Sequence, residues 1–273
     1  MAETPWDLKI ARARVHLGDL EAGIEAFLQT EPYELELVRD QDRQALILRV
    51  RREPPADLGL LVGDVVHNLR SALETRFFAC AESCLGPLSD SQEAVIALPL
   101  VDSEVALLKL SQRWTKAFGP DVGKLIDLAR ILQPFAAVPQ YWATRHGEPE
   151  AESQRDHHVA TWQRLTRLAH LSNIDKHRRL QLPWWSAKDA WAWSLDGHPS
   201  IRFRIAPGPW FDGQEAISVH GKDAGGEKVS LHANLTLVLP GEVSMGGSAA
   251  GALENICFFV ERAIEVLSHE SGA

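Results

Sequence analysis

The hydrophobic positions of this chain follow two different periods, and the changes between them predict the order of its elements. Over residues 5–29, apolar side chains recur every three or four positions, which predicts a helix with one apolar face. Over 33–50 the period becomes two, which predicts an antiparallel hairpin with one buried face. Period-two runs return from Leu180 and continue to Leu239, separated by Gly, Pro and Asp, and indicate a meander. A final amphipathic helix follows from about residue 248.

The segment 58–84 predicts the helix around which the rest of the chain is organised. Its apolar residues recur at helical spacing: Leu58, Val62, Val65, Leu69, Leu73 and Cys80. Shorter helices are predicted near 103–117, 121–132 and 155–172, and a short apolar strand at 95–100. Residues 143–156 are rich in Glu, Arg, Gly and Pro, so we predict a mobile loop there.

Together these segments predict the α+β class. We expect a helical middle and an antiparallel sheet built from the N-terminal hairpin and the C-terminal meander, with helices packed on the sheet. We expect residues 1–273 to form a single domain.

The amino-acid composition of the chain disfavours two classes of binding partner, RNA and membranes. The formal net charge of -9 disfavours RNA, although the basic runs 49–52 and 177–179 keep a localised phosphate contact open. No apolar run approaches the ~18 residues of a membrane span, so we expect no membrane partner. The three cysteines include no Cys-x-x-Cys pair, which is typical of free thiols in a reducing compartment. With a charged N-terminal stretch, these features favour a cytoplasmic location.

The first candidate site lies on the organising helix, within 63–76. His67, Arg70 and Glu74 share one helix face at spacings of three and seven, with Asn68 beside them. Histidine exchanges protons near neutral pH and arginine holds anions, so His67 and Arg70 are candidate catalytic residues. Asn68 and Glu74 are candidate ligand-binding residues. The alternative is a solvated helix face carrying an Arg70–Glu74 ion pair.

A second polar cluster follows the predicted helix 155–172. We assign a catalytic role to His177 and ligand-binding roles to Asn173, Asp175 and Lys176. Asn173 lies beside the projected apolar stripe of that helix, which suggests polar groups at the end of a buried face. We therefore predict that the two helices pack together with their polar motifs facing each other. The alternative is a helix C-terminus with basic residues near its dipole.

The first cluster also admits a metal-binding interpretation. Asp64-x-x-His67 resembles half of a helical di-metal site, and other histidines could complete a ligand set. A second carboxylate-x-x-His at matching spacing is missing from the sequence, and Arg70 and Lys176 would repel a cation. We therefore predict neither a metal nor another cofactor.

Three motifs carry a resemblance to a known family. Gly-Asp-x-x-His-Asn-Leu-Arg-Ser-Ala-Leu-Glu at 63–74, Gln-Pro-Phe at 133–135 and Ser-Asn-Ile-Asp-Lys-His-Arg at 172–178 resemble an uncharacterised bacterial family frequent in actinobacteria. That resemblance implies a fold and no activity. The chain is also faintly similar to the HEPN ribonucleases, which cleave RNA without metal through an Arg-x4-6-His pair. Thr75 and Phe77 stand where that spacing from Arg70 requires histidine.

Three hypotheses for function follow, and whether the protein is an enzyme stays open. The first is a site between the two helices that binds a small anionic or polar ligand, with acid–base chemistry. The second is a metal-independent, HEPN-like ribonuclease in which His67 or His177 is the base and Arg70 or Lys176 stabilises negative charge. The third is a protein-interaction module whose motifs are structural networks. An open cluster of the motifs favours the first two, and full burial favours the third.

Overall fold

A computed structural model describes residues 3–40, 42–101, 103–133, 152–177, 184–194, 202–205, 210–220, 229–239 and 248–271. The helices of this part of the chain are α1 (Pro5–Leu28), α2 (Ala56–Leu85), α3 (Asp90–Glu93), α4 (Glu104–Phe118), α5 (Gly123–Ile131), α6 (Glu152–His177) and α7 (Ala249–Ser271). A 3₁₀ turn, Pro120–Val122, precedes α5. The strands are β1 (Tyr33–Asp40), β2 (Arg43–Val50), β3 (Trp184–Ser194), β4 (Arg202–Ile205), β5 (Glu215–His220) and β6 (Val229–Val238).

The α+β class is confirmed, and the N-terminal hairpin joins later strands in one antiparallel sheet. That sheet has the order β1-β2-β5-β4. Strands β4 and β5 pair with each other, as a meander requires, whereas β3 pairs with β6 in a separate two-stranded sheet. The period of two in the sequence reports which face of a strand is buried and does not report its pairing partner.

The helix boundaries explain two differences from the predicted elements. Helix α6 begins at Glu152 and continues to His177, so the end of the predicted loop 143–156 is helical and the second polar cluster lies on a helix. The rest of that predicted loop lies outside the described residues. Glutamate, glutamine and arginine favour helix, which accounts for the earlier start. At α1, the Asp7 amide donates to Thr4 Oγ1 and the Thr4 amide donates to Asp7 Oδ2, closing a capping box.

The chain divides into two compact units that interleave along the sequence. The first comprises Met1–His16, Gly63–Arg178 and Glu254–Ala273, and the second comprises Leu17–Val62 and Arg179–Leu253. Three of the four divisions fall within α1, α2 and α7, the fourth falls after residue 178, and none falls in the predicted loop. The single-domain organisation stays a prediction.

In the second unit, a buried tryptophan connects helix and sheets. The Trp185 ring lies 5.1 Å from the Tyr33 ring of β1 and 6.1 Å from the Phe27 ring of α1, centroid to centroid. The Leu235 amide of β6 donates to the Tyr33 hydroxyl at 3.1 Å, and Trp185 and Trp210 exchange backbone hydrogen bonds. Burying such rings removes a large apolar area from water, so this cluster stabilises the packing of α1 on the strands.

In the first unit, the segment predicted as a strand at 95–100 has no ladder partner among the described residues. Side chains pair with its backbone instead. Trp114 Nε1 donates to the Val95 carbonyl at 3.2 Å, and an Arg70 amino group donates to the Leu98 carbonyl at 2.8 Å. The Gln133 amide donates to the Pro99 carbonyl at 2.6 Å and accepts from the Val101 amide at 3.0 Å. The segment is apolar enough for a strand, but these bonds remove the need for a neighbouring one.

No helix in the described part of the chain combines the length and apolar character that crossing a membrane requires.

We predict that Gln133→Ala lowers the free energy of unfolding by roughly 1–3 kcal/mol, because the Pro99 carbonyl and the Val101 amide lose their hydrogen-bond partner. Gln133 is fully buried, and its amide also donates to the Ala129 carbonyl at 2.8 Å. Urea denaturation followed by tryptophan fluorescence measures the change. Gln112→Ala, at an exposed position of α4, is the matched control and should leave stability almost unchanged. Equal effects of the two substitutions would show that the hydrogen bonds of Gln133 to the 95–101 segment do not stabilise the protein.

Candidate functional site

Helix α2 buries one side in the first unit, and its exposed and half-buried side chains lie along the other side. Between Val65 and Cys80, seven of its side chains have an exposed fraction of 0%: Val65, Val66, Leu69, Ala72, Leu73, Phe77 and Cys80. His67 is exposed, and Ser71 and Glu74 are half-buried. Spacings of four and three place these three side chains in a row on one helix face. We call His67, Ser71 and Glu74 the α2 strip.

Helix α1 lies along one side of this strip. The Lys9 ammonium donates to Ser71 Oγ at 2.6 Å and to Thr75 Oγ1 at 2.9 Å. Two turns later on α1, His16 Nδ1 lies 4.0 Å from Asp64 Oδ2. Residue numbers rise on α1 as those of their partners fall on α2, so the two helices are antiparallel here. Their seam is polar, because ammonium, hydroxyl, imidazole and carboxylate groups meet in it.

Helix α6 approaches the other side of the strip at Gly63. A Cβ atom placed on Gly63 would lie 2.6 Å from Asp175 Oδ1 and 3.2 Å from Asp175 Cγ. Only glycine allows this approach without a shift of the carboxylate. At 3.6 residues per turn, His67 is rotated about 40° and Ser71 about 80° from Gly63 around the helix axis. His67 therefore lies between the position facing α6 and the position facing α1.

Arg70 flanks the strip but is already engaged. It forms an ion pair with Glu74 and donates to the Leu98 carbonyl at 2.8 Å. The exposed fractions of the Arg70 and Glu74 side chains are 19% and 34%. The i,i+4 pair expected from the sequence is thus present, and Arg70 also connects α2 to the 95–101 segment. This arrangement gives Arg70 a structural role that its sequence position did not indicate.

The structure describes the side chains of some of the other predicted site residues and not of others. The Asn68 amide donates to the Asp64 carbonyl of its own helix at 2.8 Å. Asn173 and Asp175 are exposed on α6, and Asn173 follows buried Ser172, on the projected stripe beside which Asn173 was expected. Lys176 and His177 belong to α6, and their side chains lie outside the part of the chain that the structure describes. The structure therefore brings Asp175 to α2 and leaves the placement of the Lys176 and His177 side chains a prediction.

Two residues of the seam were missed by sequence reasoning. Lys9 and His16 are seven positions apart, so they fall on the same side of α1 at the edge of its apolar row. Such a pair of polar residues beside a buried stripe is the signal that could have identified them. Alone it does not show which helix would lie opposite.

Elsewhere in the first unit, two groups on or beside α7 have shifted pKa values. The hydrogen bond from Arg14 to Glu261 raises the pKa of the Arg14 guanidinium. Burial, with Glu261 nearby, raises the pKa of the Cys257 thiol to about 11. Cys257 is therefore protonated at neutral pH and is a poor nucleophile. Within the described residues, no three His, Cys, Asp or Glu side chains gather in a geometry that could hold a metal ion.

Comparison with protein-family models, with curated proteins and with solved structures finds no match. The resemblance to the bacterial family thus stays a prediction. The contact between Gly63 and Asp175 nevertheless joins two of the motifs that carry it.

We predict that Gly63→Ala stabilises the protein less than Gly18→Ala does. Gly18 is exposed on α1 and an added Cβ meets nothing within 4 Å, so alanine there should add roughly 0.5–1 kcal/mol through helix propensity. At Gly63 the same gain is offset, because the Asp175 carboxylate must rotate away from the new methyl group. Urea denaturation of both variants measures the difference. Equal gains would show that the α2–α6 contact imposes no constraint.

Proposed function

We propose that this chain binds a small anionic or polar ligand along the α2 strip, between α1 and α6, with His67 as an acid–base group. The observation that carries the proposal is the contact of Asp175 with Gly63, since it brings the second polar motif to the start of the strip. On α6, Asp175 is exposed, and His67 is exposed one turn beyond Gly63 on α2. Exposed polar groups from two elements favour a binding site over a closed structural network.

The chemistry of the strip suits a ligand that exchanges or shares protons. A histidine is the side chain whose charge changes most readily near neutral pH. Here it has a hydroxyl, Ser71, one turn away and carboxylates at Asp64 and Asp175 on the neighbouring faces. Such a set can orient a polar molecule and move a proton to or from it.

The ribonuclease hypothesis gains less support. Thr75 accepts a hydrogen bond from Lys9 and donates to the Ser71 carbonyl at 2.8 Å. Phe77 is fully buried, with its ring stacked on Trp114 at 5.7 Å. The positions at the shortest and the longest spacing for the catalytic base therefore serve the seam and the core, and Arg70 is engaged with Glu74 and the Leu98 carbonyl. The interaction-module hypothesis expects both motifs to be fully buried and paired, whereas His67 and Asp175 are exposed.

The test uses inorganic phosphate as the probe. We predict that phosphate raises the melting temperature of the wild-type protein relative to chloride at matched ionic strength. At ten times the dissociation constant, mass action stabilises by about 1.4 kcal/mol, or roughly 3–5 °C for a chain of this size. His67→Gln should reduce this increase, because it removes an imidazole from the strip.

The matched control is His269→Gln, an exposed helical histidine near the end of α7. It should retain the full phosphate response. A wild-type melting temperature that neither phosphate nor, in the same experiment, acetate changes would refute the proposed function, and so would an equal response of His67→Gln and His269→Gln.

A further inference from the structure

The polar seam between α1 and α2 contains a lysine whose charge is not balanced. The Lys9 side chain is half-buried, and its ammonium donates to Ser71 Oγ and Thr75 Oγ1 at 2.6 and 2.9 Å. Within the described residues, no carboxylate lies within ion-pair distance of Lys9. By contrast, Arg14 pairs with Glu261 and Arg70 pairs with Glu74 in the same unit.

Two hydrogen-bond donors of the Lys9–Ser71 pair have no acceptor among the described residues. An ammonium group carries three N–H donors, of which two go to the hydroxyl oxygens. Thr75 donates its own hydrogen to the Ser71 carbonyl, so towards Lys9 it can only accept. Ser71 Oγ accepts from Lys9 and keeps its hydrogen, for which the described residues provide no acceptor. One Lys9 N–H and the Ser71 O–H are therefore available to a further acceptor.

Lys9 and Ser71 lie at the α2 strip, because Ser71 is one of its three residues. Ser71 lies on the strip itself, four residues after exposed His67, which places the two side chains as neighbours on one helix face. An acceptor held by Lys9 and Ser71 would thus lie beside the imidazole. An anion there would also supply the missing counter-charge, and hydrogen bonds between an ammonium and an oxyanion are among the stronger ones in proteins.

We propose that Lys9 and Ser71 hold the oxyanion of the ligand, a phosphate or a carboxylate group, next to His67. This assignment rests on the function proposed above and specifies it. It also moves the anion-binding role from Arg70, whose guanidinium is engaged with Glu74 and the Leu98 carbonyl, to a lysine on a different helix.

The experiment measures phosphate and acetate binding by calorimetry to the wild-type protein and to the variants Lys9→Met, Ser71→Ala, His67→Gln and Lys109→Met. Lys109 is an exposed lysine of α4 and serves as the matched control. We expect the dissociation constant for phosphate to rise about ten-fold or more in Lys9→Met and several-fold in Ser71→Ala, and to stay unchanged in Lys109→Met. Tighter binding of phosphate than of acetate assigns the oxyanion to a phosphate group, and the reverse assigns it to a carboxylate.

The outcomes separate this assignment from the function on which it rests. Wild-type affinity retained in both Lys9→Met and Ser71→Ala, together with loss in His67→Gln, would overturn the role of Lys9 and Ser71 and leave the proposed function standing. Wild-type protein that binds neither anion would overturn both. Ser71→Ala removes a single oxygen, so it keeps the test decisive if Lys9→Met does not fold.

Discussion

The packing of α2 is the constraint on which the first unit depends. Its side chains from Val65 to Cys80 include seven with no exposed surface, and at 3.6 residues per turn these seven span roughly 140° of the helix circumference. Burying each large apolar side chain contributes about 1.5–3 kcal/mol, so substitutions on this face are costly. A strip near His67 and Ser71 is left for polar chemistry. The same helix therefore stabilises the core and, on its opposite side, presents the candidate site.

Helices α6 and α1 flank the α2 strip, and each approaches it through a close contact of a different kind. On the α6 side, the missing side chain of Gly63 lets the Asp175 carboxylate touch the helix backbone. On the α1 side, Lys9 reaches two hydroxyl groups and fixes the seam by hydrogen bonds. Because Gly63 has no side chain, the Asp175 carboxylate can lie against α2. In the proposed site, the positive charge of Lys9 attracts an anion.

The sequence predicted what depends on local periodicity. The buried face of α2, the hairpin and the Arg70–Glu74 pair are each set by residues a few positions apart, so spacing alone identified them. Contacts between distant segments were not predictable in this way. The pairing of β3 with β6, the seam partner of Lys9 and the hydrogen bond from Arg70 to the Leu98 carbonyl each join residues far apart in the chain. Periodicity states which face is buried and leaves open what lies against it.

The central claim is that an anion binds beside His67 on the α2 strip, and NMR of the histidine rings tests it most directly. The ring C–H signals of ¹³C-labelled protein are recorded during a titration with phosphate, and His67 is assigned from its missing signal in His67→Gln. The account predicts that the His67 signal moves in the wild-type protein and stays in place in Lys9→Met, while the His269 signal moves in neither. A His67 signal that does not respond to phosphate in the wild-type protein would contradict the account.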